Sequence, residues 1–378
     1  MQGNEALIPK DVGTNRFAFV IHPLQVKYIH EHPSFGWTRL LPENLLEWIA
    51  AWVPPIYLSR MAGGQSPATA QRVEGYLYTL GATPRQMMQR SDRFTYNRLV
   101  RTARKAQRHG AKILGLGAFT SVVGDAGKTI ARELDIAVTS GNSLTVYATI
   151  ESAKQAVAQM GFCEINQGRV MVIGATGSIG SACARLLAAE VREILLVSQE
   201  EHRLVELKNK IQSEVTGASV NFATSPNGLL GECDLIITAT SSIGTRVMNL
   251  MECQPGAVIC DVAQPADIDP HEAANRPDVL VIKSGEVLLP MEMDWGYDMG
   301  LSPRRAYACL AETILLAMEG HFVDFTIGRN ITREQVNEIA QLFHKHKFEL
   351  GELHSYDNIV TEEYLDYKRW LARAAREV

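Results

Sequence analysis

The sequence predicts an α/β protein whose central part is a doubly wound parallel sheet. Between residues 169 and 290, short continuous apolar runs alternate with helical or turn-rich segments. Strands that are buried on both faces of a parallel sheet have this composition. The helical pattern SACARLLAAE follows the first run, as a strand–loop–helix unit requires. The runs, in chain order, are RVMVI, EILLV, DLIITAT, AVICDV and VLVI.

A second, less regular α/β domain is predicted in the N-terminal part of the chain. The segments FAFVI (17–21), KILGLG (112–117) and AVTSGN (137–142) are predicted strands, and helices are predicted around 94–110 and 143–160. The predicted organisation is an N-terminal α/β domain, the parallel-sheet domain and a C-terminal helical region, with the bounds 1–165, 166–290 and 291–378.

The C-terminal region contains three predicted helices, over 303–320, 332–347 and 361–377. Ser302 and Pro303 are suitable as the N-cap and the first residue of the first helix. Thr332 and Gln335 have the spacing of a capping box at the start of the second.

Composition and charge exclude several classes of protein. Of 378 residues, 46% are apolar and 21% are charged, which is ordinary for a soluble globular protein. The net charge of −5 argues against nucleic-acid binding by the whole protein. Residues 1–13 lack the pattern of a secretory signal. The sequence contains no run of 18 apolar residues, so no membrane span is predicted. The six cysteines lack metal-binding spacing, which favours free thiols in a reducing cytoplasm. The histidines at 22, 30 and 32 have no metal-like partners nearby, so they are predicted to lie at the surface or in loops.

A glycine-rich loop, GATGSIG (174–180), joins the first apolar run to its helix. Gly174 allows the tight turn, Gly177 lets a pyrophosphate approach the backbone, and Gly180 allows close packing of helix on strand. The N–H groups at the helix start then bind the phosphates, so the loop predicts a dinucleotide site. A structural turn in a fold that has lost its cofactor is the alternative. Further contacts are predicted from this loop and, around the nicotinamide, from the end of the fourth strand: Thr176, Ser178, Ile179, Ala239, Thr240 and Ser241.

The residues after the second strand bear on the choice of dinucleotide. An NAD-preferring site usually has an acidic residue at this strand end, which binds the ribose hydroxyls. Here Ser198 and Gln199 are uncharged and Arg203 follows, an arrangement that suits the 2′-phosphate of NADPH. We therefore expect NADPH as the cofactor. The alternative is an NAD site, because Glu200 and Glu201 are close enough to supply its acidic residue.

The segment RLVRTARKAQRHGAK (98–112) predicts a helix with one basic face. In a chain of net negative charge, such a face suits an acidic partner or phosphates, and a plain solvated face is the simpler interpretation. The cations that share one arc of the helical wheel are Arg98, Arg101, Arg104, Lys105 and Arg108.

The segment NLLEWIAAWVPPIYL (44–58) is strongly apolar and is interrupted by Pro54 and Pro55. It is too short to span a bilayer, so it is predicted to pack in the core. A flap over an apolar ligand and a peripheral contact with a membrane surface are the alternatives.

One cysteine is distinguished by its neighbourhood, RRAYACLAETILLAMEG (304–320). On a helical wheel the apolar stripe centres near Leu310 and Ile314, and Cys309 lies at its margin. Arg305 precedes it by four residues, so its guanidinium is expected over the thiol, where a cation favours the thiolate. A buried structural thiol is the alternative.

Five stretches, taken together and in order, resemble one family: GAFTSVVGDAG (117–127), TSGNSLTVYATIESAKQAVAQMG (139–161), the glycine-rich loop, GEVLLP (285–290) and RRAYACLAETILLAMEG. The family is that of the long-chain acyl-(acyl-carrier-protein) reductases of the cyanobacterial alkane pathway. The resemblance runs from about residue 94 to residue 330. A wider kinship to glutamyl-tRNA reductase and shikimate dehydrogenase is carried by CDVAQPADIDP (260–270) and TSGNSLT.

This resemblance implies a function for several residues. The acyl-accepting cysteine of the family corresponds to Cys309, which would attack a carrier thioester and form an acyl-enzyme. NADPH would then reduce the acyl carbon and release a fatty aldehyde. Thr120, Ser121 and Asn142 lie in the two best-matching polar loops and would donate hydrogen bonds to the developing oxyanion, the alternative being capping and turn roles. An acyl carrier protein docked on the basic helix, or acyl-CoA, would supply the acyl group to the N-terminal domain.

Two departures from the family leave other functions open. The first ninety residues, which would shape the acyl pocket, match poorly, and about forty residues after Gly328 diverge. The alternatives are an NADP dehydrogenase of the shikimate or amino-acid type, acting on a small polar substrate, and a non-catalytic NADP-binding sensor. The dehydrogenase would require a Lys/Asp pair in the cleft, and the GNSLT segment contains no lysine.

Overall fold

The computed structural model describes residues 13–31, 36–121, 123–242 and 245–377, and consists of two main sheets with surrounding helices. Nearly all of the segment examined for a secretory signal, and His32, lie outside these residues. Both faces of the larger sheet are buried, because alternate residues of its strands belong to different hydrophobic clusters. The predicted α/β fold with a doubly wound parallel sheet is confirmed.

The smaller sheet is N-terminal and has the strand order β2-β3-β1-β4-β5. Strand β2 is antiparallel to β3, and all other neighbours are parallel. The predicted strands β1, β4 and β5 are confirmed, whereas the hairpin of β2 and β3 was not predicted. The strand bounds are β1 (Thr14–Ile21), β2 (Ile56–Gln65), β3 (Arg72–Thr79), β4 (Ile113–Leu116) and β5 (Ala137–Thr139).

Six helices accompany this sheet. The last of them, α6, is buried along most of its length and leads into the larger sheet. Helix α4 confirms the predicted basic face, since Leu99, Val100, Ala103 and Ala106 are buried and its cations, apart from the half-buried Arg98, are exposed. The helix bounds are α1 (Lys27–Glu31), α2 (Glu43–Trp52), α3 (Pro84–Met88), α4 (Asp92–Arg108), α5 (Lys128–Arg132) and α6 (Asn142–Met160).

The larger sheet contains six parallel strands in the order β8-β7-β6-β9-β10-β11, which is that of doubly wound dinucleotide-binding domains. All five predicted strands are present. The bounds are β6 (Arg169–Ile173), α7 (Ser178–Leu187), β7 (Glu193–Val197), α8 (Glu201–Glu214), β8 (Val220–Ala223), β9 (Leu235–Thr238), β10 (Val258–Asp261), α9 (Pro270–Ala274) and β11 (Leu280–Lys283).

The C-terminal region adds strands to the larger sheet and forms a separate two-stranded sheet. Strand β14 (His354–Ser355) is antiparallel to β11, and β15 (Asn358–Ile359) is antiparallel to β14. Strand β12 (Glu286–Leu288) pairs antiparallel with β13 (Arg305–Tyr307). The helices are α10 (Ala308–Glu319), α11 (Arg333–Lys345) and α12 (Glu362–Arg376), and the capping box of Thr332 and Gln335 is confirmed.

The predicted start of the first C-terminal helix is wrong. Residues 305–307 pair with β12, so helix α10 begins at Ala308 rather than at Pro303. The pairing is between distant segments, and the local Ser-Pro signal does not reveal it. As a result, Cys309 lies in the first turn of the helix, and Arg305 lies on a strand.

Candidate active site

A cavity of about 1320 Å³ is lined by residues from both sheets. It is larger than the ~300–1,000 Å³ of a pocket for one drug-sized ligand. Its walls include the segments that follow β1, β4, β6, β9 and β10, so the carboxyl ends of both sheets face it. Ligands bind at this edge of parallel sheets because the connecting loops are free to carry functional groups there.

Cys309 lies on the wall of this cavity, at the N-terminus of α10. Cys309 is partly exposed, whereas all the remaining residues from Ala308 to Met318 are buried. The N-terminus of α6 packs against it, since a Cβ built on Gly141 would lie 2.2 Å from Cα of Cys309. Gly141 also has φ +74°, so this approach requires glycine. The two helix N-termini therefore meet at the thiol.

Burial dominates the electrostatics of this thiol and raises the pKa of Cys309 to about 11. Hydrogen bonds from the backbone N–H groups of Ala118 and Leu310 act in the opposite direction and favour the thiolate. The expected cover by Arg305 is wrong: its guanidinium lies 3.6 Å from Glu286 and 3.5 Å from Glu352. The groups that stabilise a thiolate here are thus backbone N–H groups.

The raised pKa predicts how alkylation of Cys309 depends on pH. Below a pKa of about 11 the protonated thiol dominates, so the reactive thiolate fraction increases with pH. Carbamidomethylation by iodoacetamide, followed at the Cys309 peptide by mass spectrometry, should accelerate about tenfold per pH unit between pH 7 and 9. A rate that levels off near pH 7 would contradict this assignment and indicate a nearby cation.

Of the three predicted hydrogen-bond donors, Asn142 has a side chain that is available for a ligand. It lines the cavity, and its Nδ2 is buried without a hydrogen-bond partner in the described part of the chain. Ser121 also lines the cavity and donates its hydroxyl to the Ala118 carbonyl at 2.7 Å. The hydroxyl of Thr120 donates to the Gly117 carbonyl, and Thr120 is not among the lining residues.

Glu312, one turn after Cys309, is fully buried and was not singled out from the sequence. Its carboxylate accepts hydrogen bonds from the Thr139 hydroxyl at 2.5 Å and from the Leu144 N–H at 2.8 Å. Burial raises its pKa, and these donors lower it. Glu312 therefore joins α10 to the end of β5 and to the first turn of α6. The available signal was one acidic residue within the apolar run ACLAETILLAM (308–318).

The glycine-rich loop has the shape that a dinucleotide requires. Gly174 has φ +82°, and a Cβ there would lie 2.5 Å from the Ala239 carbonyl oxygen. A Cβ on Gly180 would lie 2.3 Å from the oxygen of Gly174, so this glycine serves helix–strand packing and does not line the cavity. The residues of the predicted set that line the cavity are Gly174, Thr176, Gly177, Ser178, Ile179, Arg203, Ala239, Thr240 and Ser241.

A polar cluster lies after β7, where the adenosine ribose is bound in this fold. The Thr176 hydroxyl lies 2.8 Å from the Ser198 hydroxyl and donates to Glu200 at 2.9 Å, and Arg203 pairs with Glu200 at 2.6 Å. The hydrogen bond from Thr176 and the charge of Arg203 lower the pKa of Glu200. Glu200 and Arg203 both line the cavity, whereas Ser198 does not. An anionic and a cationic group are therefore both present at the ribose position.

A large part of the remaining cavity wall is apolar. Its side chains come from β1, α1, α2, β2 and β3 and the segments beside them, and we call it the apolar arm: Ile21, Leu24, Ile29, Trp37, Leu41, Leu46, Ile49, Val53, Ile56, Leu58 and Leu80. The segment 44–58 is only partly in the core, where it was predicted to pack. Helix α2 buries Leu46 and Ala50 and leaves Trp48 exposed.

His22 lies in a loop, as predicted, but not at the surface. His22 is buried, and it lines the cavity at the end of β1. Its Nε2 accepts the Phe119 N–H at 2.9 Å, which holds the 3₁₀ turn Ala118–Ser121 beside Cys309. Burial lowers the pKa of His22 to about 4, so the ring is neutral at pH 7.

Known proteins resemble this chain at two levels: one family model matches its dinucleotide half, and two proteins match most of its length. Residues 153–283 match the shikimate/quinate 5-dehydrogenase family model. Aminotransferase PigE of Serratia sp. is 30% identical over 370 residues, which cover 96% of this chain and 41% of PigE. The long-chain acyl-(acyl-carrier-protein) reductase of Synechococcus elongatus is 26% identical over 328 residues, covering 83% of this chain and 92% of that protein. This chain thus spans less than half the length of PigE.

The chain also shows low similarity to two solved dehydrogenase structures. Quinate dehydrogenase from Corynebacterium glutamicum, in complex with NAD, is 12% identical with a TM-score of 0.41, covering 88% of this chain and 99% of that one. L-tryptophan dehydrogenase from Nostoc punctiforme is 11% identical with a TM-score of 0.40, covering 97% of this chain and 89% of that one.

No helix of the described residues is long and apolar enough to cross a membrane.

Proposed function

We propose that this protein is an NADPH-dependent reductase that converts long-chain acyl thioesters to aldehydes through an acyl-enzyme on Cys309. One observation carries the proposal: a partly exposed cysteine, a dinucleotide cradle and an apolar arm line the same cavity. The similarity to a long-chain acyl-(acyl-carrier-protein) reductase over 83% of the chain supports it. The match to the shikimate/quinate 5-dehydrogenase model supports the dehydrogenase-like dinucleotide half.

The chain's own residues provide binding, orientation and a nucleophile. The apolar arm binds the aliphatic chain, since burial of each CH₂ contributes about 0.8 kcal/mol. The Cys309 sulfur attacks the thioester carbonyl, the bond from the acyl carbon to the carrier sulfur breaks, and the carrier thiol leaves with the proton. Asn142 Nδ2, buried and without a partner among the described residues, donates to the carbonyl oxygen as negative charge develops there.

The second half of the reaction regenerates the thiol. NADPH, which the glycine-rich loop would hold, would supply the hydride that reduces the acyl carbon. With one proton added, the resulting hemithioacetal on Cys309 breaks its carbon–sulfur bond, which releases the aldehyde and returns the thiol. Exclusion of water by the buried neighbours of Cys309 protects the acyl-enzyme from hydrolysis.

Steady-state assays test the proposed function. The protein is incubated with NADPH and a long-chain acyl thioester on CoA or on an acyl carrier protein, and the aldehyde is measured by gas chromatography. We expect one aldehyde formed for each NADPH oxidised. Oxidation of shikimate or quinate with NADP, and no aldehyde from either thioester, would favour the alternative dehydrogenase.

The cofactor preference provides a separate prediction. Arg203→Ala should raise KM for NADPH by about tenfold or more and leave KM for NADH nearly unchanged, because a charge-assisted hydrogen bond to the 2′-phosphate is lost. Glu200→Gln is the matched variant: it removes a negative charge beside that phosphate and should lower KM for NADPH. A wild-type protein that binds NADH more tightly than NADPH would overturn the assignment.

The carrier that delivers the acyl group belongs to the same proposal. An acyl carrier protein is acidic, and the C-terminal half of α4 exposes Arg101, Arg104 and Arg108 in a chain of net charge −5. We propose this half of the basic helix as its docking face, because opposite charge accelerates and orients association.

A further inference from the structure

One face of helix α2 exposes large apolar side chains. Leu45, Trp48, Ile49 and Trp52 are spaced as i, i+3, i+4 and i+7, which places them along one side of the helix. Trp48 is 55% exposed, and Leu40 in the preceding 3₁₀ turn (Gly36–Leu40) is 89% exposed. A contiguous apolar patch of this kind on a soluble protein usually marks an interaction surface. We call these five residues the α2 patch.

The α2 patch adjoins the cavity. Ile49 is 41% exposed and also lines the apolar arm. The opposite side of the same helix supplies Leu46 to the arm and Ala50 to the cavity wall. A single helix therefore separates the apolar arm from the surroundings, with apolar side chains on both of its sides.

The surroundings of the patch are strongly cationic. Residues 85–112 contain nine Lys and Arg residues and one Asp, within a chain of net charge −5. The guanidinium of Arg90 lies 5.0 Å from the Trp52 ring, and that of Arg98 lies 5.6 Å from it. Arg93 is exposed on the same stretch of chain. The cations are thus in direct contact with the exposed aromatic side chains.

We propose that the α2 patch is a membrane-docking surface for anionic bilayers. Leu40, Leu45 and Trp48 enter the boundary between headgroups and acyl chains, and the neighbouring arginines bind lipid phosphates. An interfacial helix has this division: a tryptophan- and leucine-bearing face beside a strongly basic one. Exposed leucine and tryptophan side chains beside arginines fit an anionic bilayer better than an acidic carrier protein, for which charge is the main complement.

The position of the patch has a consequence for the ligand. Because α2 separates the lipid from the apolar arm, an aliphatic product can pass from the cavity into the bilayer without crossing water. This consequence rests on the proposed function, whereas the docking itself does not.

Vesicle co-sedimentation tests the docking without substrate or cofactor. We expect binding to phosphatidylglycerol/phosphatidylcholine vesicles and much weaker binding to pure phosphatidylcholine vesicles. The variant Leu45→Ser/Trp48→Ser should bind about tenfold more weakly, since neither residue lines the cavity and both lose apolar contact with lipid. Arg93→Glu should reduce the preference for phosphatidylglycerol.

The matched control is Tyr367→Ser/Trp370→Ser on α12, whose rings are also more than half exposed. It should bind vesicles as the wild type does, and thermal melting of all variants shows whether they fold. Equal sedimentation of the wild type and the α2 variant, or no sedimentation of the wild type, would overturn the proposal. So would an α2 variant that keeps vesicle binding but loses activity on acyl carrier protein in vesicle-free solution, which would identify a carrier-docking surface.

Because sedimentation needs neither substrate nor cofactor, docking and the proposed function can fail independently. A wild type that sediments but makes no aldehyde would refute the reductase proposal alone.

Discussion

Replacement of Cys309 by alanine is expected to reduce aldehyde formation by about 10⁴-fold or more, because the variant lacks the nucleophile that splits the thioester. Binding of NADPH should be nearly unchanged, since Cys309 belongs to α10 and not to the glycine-rich loop that is proposed to hold the phosphates. Aldehyde formation and cofactor affinity, measured by gas chromatography and by fluorescence titration, separate these two effects.

The matched variant is Cys309→Ser, which retains the size and position of the side chain. A serine hydroxyl at the same N–H groups is a much weaker nucleophile, so its activity should also be nearly lost. Cys163, the other partly exposed cysteine of the described residues, provides the control: Cys163→Ala should retain full activity. Substantial activity of Cys309→Ala would show that reduction proceeds without an acyl-enzyme.

Replacement of Glu312 by alanine is expected to lower the free energy of unfolding by about 3 kcal/mol. The Leu144 N–H and the Thr139 hydroxyl would remain buried without their acceptor, and each such orphan costs about 1–3 kcal/mol. The first turns of α6 and α10 would also lose their connection. Activity should therefore decrease along with stability, because Asn142 and Cys309 begin these two helices.

Glu312→Gln separates the hydrogen bonds from the charge. Its amide keeps one oxygen as an acceptor, so the loss should be about 1 kcal/mol, the net contribution of one hydrogen bond. Chemical denaturation followed by circular dichroism compares the three proteins. A Glu312→Ala protein that is as stable as the wild type would show that the buried carboxylate is dispensable.

Local sequence patterns were sufficient for the dinucleotide half. The apolar run RVMVI, the three spaced glycines after it and the helical pattern that follows form one continuous unit in the sequence. Each part therefore strengthens the prediction of the other two. Gly174 occupies the predicted turn and Gly180 the predicted packing position, and five of the six parallel strands were predicted, β8 being the exception. Contacts of this kind join residues that are close in the chain, so the pattern contains the information.

Long-range contacts explain the errors around Cys309. Strand β13 forms because Arg305–Tyr307 finds Glu286–Leu288, nearly twenty residues earlier. That pairing moves the helix start and turns Arg305 towards Glu286 and Glu352. The position of Cys309 on the cavity wall did not depend on the mistaken cation, because Gly141 and the two helix N-termini place it there.

The buried polar residues of the site were the least predictable. His22 and Glu312 interact with Phe119 and Leu144, each at a separation of nearly a hundred residues or more. Neither belongs to a motif, and a histidine near the N-terminus is ordinarily exposed. The apolar arm was also difficult to predict, because one side of α2 lines it and the other side is exposed.

Intact-mass spectrometry tests the central claim most directly. The protein is mixed with a long-chain acyl thioester in the absence of NADPH, so that a covalent intermediate accumulates. The account predicts that the mass increases by one acyl group, that the adduct maps to Cys309, and that Cys309→Ala forms none. No adduct from either carrier-linked or CoA-linked thioesters, or an adduct that persists in Cys309→Ala, would contradict it.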